Sequence, residues 1–99
     1  MSNFGDLIKK ERILKSLLLR QVAAVIDIDQ SIISKFENGE RKPTKEQVLK
    51  FAKYYKLDLK VLLIAWLSDK VIYELKDEKY VIEALKVAEK EIKYVQKRK

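Results

Sequence analysis

Gln30, Ser31, Ser34 and Lys35 are four polar side chains whose spacing sets them on one side of a single short helix. The amide and the hydroxyls can each donate and accept a hydrogen bond, and the ammonium can donate three. Such a set near the start of a helix suits the major groove of duplex DNA, where base edges display a donor and acceptor code. Just beyond lie Asn38, Arg41 and Lys42, placed to meet phosphates, and ahead of them Gln21 and Arg20 could hold the same backbone. Other chemistries have little to work with. The chain has no cysteine and no histidine, so disulfides, thiolate metal sites and histidine-based catalysis are excluded. No stretch spaces its aspartates as a calcium loop does. Asp27 and Asp29 are explained as a turn and a cap, and Gly39 stands alone where a phosphate-cradling loop would need several glycines. No catalytic residue, metal ion or cofactor is expected.

The elements that must position these groups follow from apolar spacing. Val22, Ala23 and Ile26 mark the buried face of one helix, Asp27-Ile28-Asp29 breaks it, and Ile32, Ile33 and Phe36 begin another. Two short helices and a tight corner make a helix-turn-helix, with Ile33 and Phe36 inward and the four polar groups outward. Asp29 fits the N-cap of the second helix. Gly39 fits just past its end, where positive φ is wanted. Upstream, Phe4, Leu7, Ile8 and Leu14 predict a helix over about residues 3 to 15, ended by Ser16, with Leu17 entering the core. Downstream, Thr44 and Gln47 have capping-box spacing, and Val48, Phe51, Ala52 and Tyr55 mark a fourth helix. A fifth, capped by Asp58, carries Val61, Leu62, Ile64, Ala65, Trp66 and Leu67 and is apolar nearly all round, so it must be covered on more than one side. Val71, Ile72 and Leu75 continue it. Asp77-Glu78 marks a break, with Asp77 a candidate cap. Val81, Leu85, Ala88, Ile92 and Val95 then form a narrow seam of the kind used between packed helices.

Ninety-nine residues with 47% apolar content, two glycines and one proline fit an all-α chain, one domain with an appendage. We place the domain at residues 1–67 and the helical extension at 68–99. A net charge of +7 favours polyanions, nucleic acid before anionic membrane, although lysines that merely solvate a small helical protein would give the same sum. The longest apolar run, Val61 to Leu67, is too short to span a bilayer. The start, MSNFGDLIKK, lacks the basic stretch and long apolar run of a signal peptide, so a cytoplasmic location is expected. Glu83, Glu89 and Glu91 interleave the last helix, which argues against a membrane-surface helix.

Residues 4 to 66 resemble the helix-turn-helix domain of the XRE family, the group of phage Cro and lambda-type repressors. The matching residues are Val22-Ala23, Ile28, Gln30-Ser31, Ile33, Phe36 and the run Glu37-Asn38-Gly39-Glu40-Arg41-Lys42-Pro43. The resemblance implies a five-helix lambda-repressor-like DNA-binding domain, here with a C-terminal helical extension, and a sequence-specific regulator of transcription whose partner is double-stranded DNA. It implies that Ala23 lies at the helix crossing and that Arg12 pairs with Glu37 as a structural salt bridge. The chain departs from the family at Asp27, where glycine is usual, at Leu18-Leu19, where a polar cap and a glutamine are usual, and at Glu11, where an apolar residue is usual. Leu18 and Leu19 are read as extra core or as a small apolar patch beside the DNA face. A homodimer on a two-half-site operator is expected, with Trp66, Leu67, Val81, Leu85 and Ile92 at its interface. For Trp66, a place in the domain's own core is the competing assignment. Size and layout are similar to the controller proteins of restriction–modification systems. The alternative reading is an XRE-type antitoxin whose C-terminal helices bind a partner protein.

Overall fold

The computed structural model describes residues 2–98, which form six helices and no strand. They are α1 (Asn3–Leu14), α2 (Leu19–Ile26), α3 (Gln30–Glu37), α4 (Lys45–Tyr55), α5 (Leu59–Leu75) and α6 (Val81–Lys97). The fold is therefore all-α, as expected. None of the described helices is long and apolar enough to cross a membrane.

Local chemistry sets most of the boundaries. Asp29, Thr44 and Asp58 each accept a hydrogen bond from a backbone N–H in the first turn of α3, α4 and α5, satisfying donors that have no partner within the helix. Thr44 and Gln47 complete the capping box. Helix α1 ends where Ser16 turns left-handed at φ 55°, with Leu17 N–H returning to the Arg12 carbonyl. Asp27 takes φ 57° at the corner between α2 and α3, so aspartate fills the left-handed turn where glycine is usual.

One aromatic side chain centres the core. The Phe51 ring meets Phe4 and Phe36 edge to face, with centroids 5.8 and 6.3 Å away, and Tyr55 lies against it at 6.0 Å. Ile8, Val22, Ile33, Val48 and Leu62 complete the enclosure, so α1 to α5 each contribute. One expectation fails here, and one of two open assignments is selected. Leu14 is 67% exposed, because α1 meets its neighbours through Phe4, Gly5 and Ile8 and its last turn projects past them. Trp66 is 8% exposed and belongs to the domain's own core, so it is not available to a subunit interface. Its indole Nε1 donates to the Pro43 carbonyl at 2.9 Å, which ties the loop after α3 to α5. Of the leucine pair, Leu18 is exposed and Leu19 packs partly on the core.

Helix α5 runs unbroken to Leu75, so residues 67 and 68 mark no break in the chain. Its second half still belongs to the domain. Asp69 Oδ1 accepts from Asn3 N–H, and Oδ2 accepts from Ser2 Oγ and Phe4 N–H. A carboxylate on α5, distant in sequence, thus caps α1 and complements the positive end of that helix. At the 76–80 break the expected cap is corrected. Tyr80 occupies the N-cap of α6 at φ 67° without a side-chain bond, and Asp77 lies within the turn. No described residue of α6 is buried.

Candidate nucleic-acid interface

Helix α3 has two faces with opposite fates. Ile33, Phe36 and Glu37 are buried, and Ile32 packs partly against the same core. Gln30, Ser31 and Lys35 are exposed, and Ser34 is half-buried. Gln30, Ser34 and Asn38 follow at four-residue intervals and so share a stripe. The far end of α3 closes through a Schellman arrangement. Gly39 N–H bonds to the Phe36 carbonyl and Glu40 N–H to the Lys35 carbonyl, with Gly39 at φ 75°. Glycine is favoured there, since a left-handed backbone reverses the chain ahead of Arg41 and Lys42.

The cap at the other end restricts what Ser31 can present. Asp29 Oδ1 accepts from both Ser31 N–H (2.8 Å) and Ser31 Oγ–H (2.6 Å). The Ser31 hydroxyl holds the Asp29 carboxyl below its ordinary range, with the backbone N–H adding to the effect. With its proton committed to Asp29, Ser31 Oγ faces outward as an acceptor, suited to an exocyclic amino group on a base edge.

Arg20 and Gln21 occupy the first turn of α2, both exposed. Gln21 Oε1 accepts from Leu18 N–H at 2.7 Å, which leaves its NH₂ free to donate outward. Leucine at position 18 has no acceptor to return the bond, so α2 has half of the usual reciprocal cap.

Arg12 and Glu37 meet in a two-pronged ion pair. Arg12 Nε donates to Glu37 Oε2 at 2.8 Å and Nη2 to Oε1 at 3.0 Å, while Nη1 donates to the Leu17 carbonyl at 3.0 Å. Glu37 is 5% exposed. The bond to Glu37 raises the Arg12 pKa above its already high ordinary value. The pair links the end of α1, the loop before α2 and the last turn of α3, which fixes how the polar stripe is aimed. Beside it, Tyr55 Oη is buried and bonded to no described protein group, and burial together with the Glu37 charge pushes the phenol pKa up.

Lys42 is already engaged. Its Nζ sits 3.3 Å from the centre of the Tyr73 ring on α5. The loop Gly39–Pro43 is therefore held at two points, by Lys42 on Tyr73 and by Trp66 on Pro43. Tyr73 and Asp69 are the positioning residues that sequence reasoning misses, because nothing in local spacing marks a contact across such separations. Of the residues expected at a subunit interface, Leu67 and Ile92 are exposed, and Val81 and Leu85 are half-buried. Leu67 shares an outward stripe of α5 with Val61, Ile64 and Val71, all exposed.

A family model described as helix-turn-helix matches residues 8–62, which takes in α2, the corner, α3 and most of the core. Neither the curated proteins nor the solved structures include a match to this chain.

Proposed function

Since the chain belongs to the XRE-type helix-turn-helix family of DNA-binding regulators, we propose that it reads a specific operator as a homodimer, one subunit per half-site. The observation that carries this reading is the outward polar face of α3, backed by a fully packed opposite face. In this reading Gln30, Ser31, Ser34 and Lys35 meet base edges. Arg20, Gln21, Asn38 and Arg41 hold the sugar-phosphate backbone, and Lys42 reaches it from its seat on Tyr73. Gln30→Ala should then cost roughly 1–3 kcal/mol on the cognate site and little on random DNA. Arg41→Gln should weaken both and lower the slope of log K against log salt by about 0.9. Fluorescence anisotropy on selected and scrambled duplexes separates the two effects. A Gln30→Ala variant that loses equally on both would remove Gln30 from base reading.

The homodimer rests on apolar surface that the subunit leaves in solvent. Val61, Ile64, Leu67 and Val71 line α5 outside the core, and no described residue of the α6 seam is buried. To read adjacent half-sites, a dimer built on these faces has to set its recognition helices one turn of DNA apart, about 34 Å, or a multiple of that. Wild-type protein should sediment at twice the chain mass at micromolar concentration. Ile64→Asp with Leu67→Asp should give a folded monomer, because charge on a buried apolar stripe is costly. A monomeric wild type would reject the dimer. Recovery of an unrelated small protein at fixed stoichiometry would favour an antitoxin over a self-contained regulator. A gene for a DNA methyltransferase alongside would support control of a restriction–modification operon.

A further inference from the structure

A cleft of about 360 Å³ lies between the loop that follows α3 and the second half of α5. Arg41 and Lys42 enter it from the loop, Lys70 from α5 and Lys76 from the C-cap of α5, with Trp66 and Tyr73 as walls. None of the four cations is in an ion pair with any described carboxylate. The one acid in the cleft, Asp69, directs both oxygens at the start of α1. Like charges gathered around one concavity repel each other, and the low-dielectric walls strengthen the field between them. Two of them are steadied on rings, Lys42 on Tyr73 and Lys70 on Trp66, where Nζ is 3.7 Å from the ring centre. Those contacts hold two of the ammonium groups at the cleft, which offers ammonium and guanidinium groups to an anion.

We propose that this cleft binds phosphate groups, and that the phosphates are those of the DNA backbone, so that Lys70 and Lys76 extend the DNA contact from the helix-turn-helix onto α5. The inference rests on the DNA-binding reading above. The cleft is continuous with the loop that leaves α3, so a strand held by Arg41 and Lys42 passes its mouth. Free phosphate has the same chemistry, and a second measurement tells the two sources apart.

The test compares wild type, Lys70→Gln/Lys76→Gln and a charge-matched control, Lys86→Gln/Lys90→Gln on α6, binding a random-sequence duplex from 50 to 200 mM salt. Loss of two phosphate contacts should lower the salt slope by about 1.8, with equal loss on cognate DNA, while the control slope stays within about 0.5 of wild type. Lys76→Gln alone, which leaves Lys70 on Trp66, should lower it by about 0.9 and guards against a folding artefact. An unchanged slope in both variants overturns the proposal. So does an equal drop in the control, which would reflect net charge alone. Inorganic phosphate that raises the wild-type Tm at matched ionic strength, with the DNA slope unchanged in the variants, overturns the DNA assignment in favour of a small-anion site. A wild type that binds no duplex at low salt instead sinks the DNA-binding reading itself.

Discussion

Arg12→Ala should destabilise the domain by about 3–5 kcal/mol, a large share of the stability of any domain this size. The reason is the charge left behind. Glu37 is 5% exposed, and its partner is the guanidinium that donates to both of its oxygens. Truncating Arg12 strands that carboxylate and also leaves the Leu17 carbonyl without the Nη1 donor. Thermal unfolding should show a fall in Tm of roughly 15 °C or more. Arg12→Lys should recover only part of it, because an ammonium cannot form the planar fork. Replacing both partners with apolar residues of similar volume, Arg12→Met with Glu37→Leu, should recover most of the loss, since the stranded charge is removed. A single Arg12→Ala variant within 1 kcal/mol of wild type would mean the pair is solvated in solution. DNA binding by Arg12→Ala should be measured well below its Tm, where any residual loss reports the aim of α3 and not its unfolding.

Gly5→Ala should also destabilise, by about 3 kcal/mol, the upper end of ordinary overpacking costs. Helix propensity predicts the reverse. Gly5 lies inside α1, where alanine is normally favoured by about 1 kcal/mol, so the sign of the change decides between local and tertiary control. The structure brings α1 across the last turn of α3 at that point. A Cβ on residue 5 would sit 2.3 Å from the Phe36 carbonyl oxygen and 2.9 Å from that of Glu37. Both are backbone atoms of a helix end and cannot swing aside. Relief requires α1 to lift from α3, which pulls Phe4 and Ile8 out of the core. Urea unfolding gives the answer directly, and a variant more stable than wild type would show that the two helices do not approach this closely.

The two predictions differ in how visible they are before folding. The Arg12–Glu37 pair follows from a family pattern, and its geometry is as that pattern implies. The role of Gly5 does not. An isolated glycine in a helix reads as a mild defect until the backbone that crosses it is known.

The α2–corner–α3 unit was legible from the chain because its determinants are short-range. Val22, Ile26, Ile33 and Phe36 repeat at helical spacing, Asp29 reaches the N–H two residues on, and Gly39 closes the turn it sits in. The caps at Thr44 and Asp58 are of the same kind. Tertiary structure alone decided the rest. Trp66 is as apolar in a subunit interface as in a core, and only the approach of the Pro43 carbonyl assigns it. Asp69 looks like any surface acid of α5 until α1 presents three donors to it. Leu14 has the right spacing for burial but lies beyond the reach of its neighbours. Lys42 stands out in the sequence and Lys70 does not, and only the meeting of loop and helix brings the two into one cationic cleft. Periodicity determines which face of a helix is apolar. What that face meets depends on how the helices cross, and no run of neighbouring residues encodes the crossing.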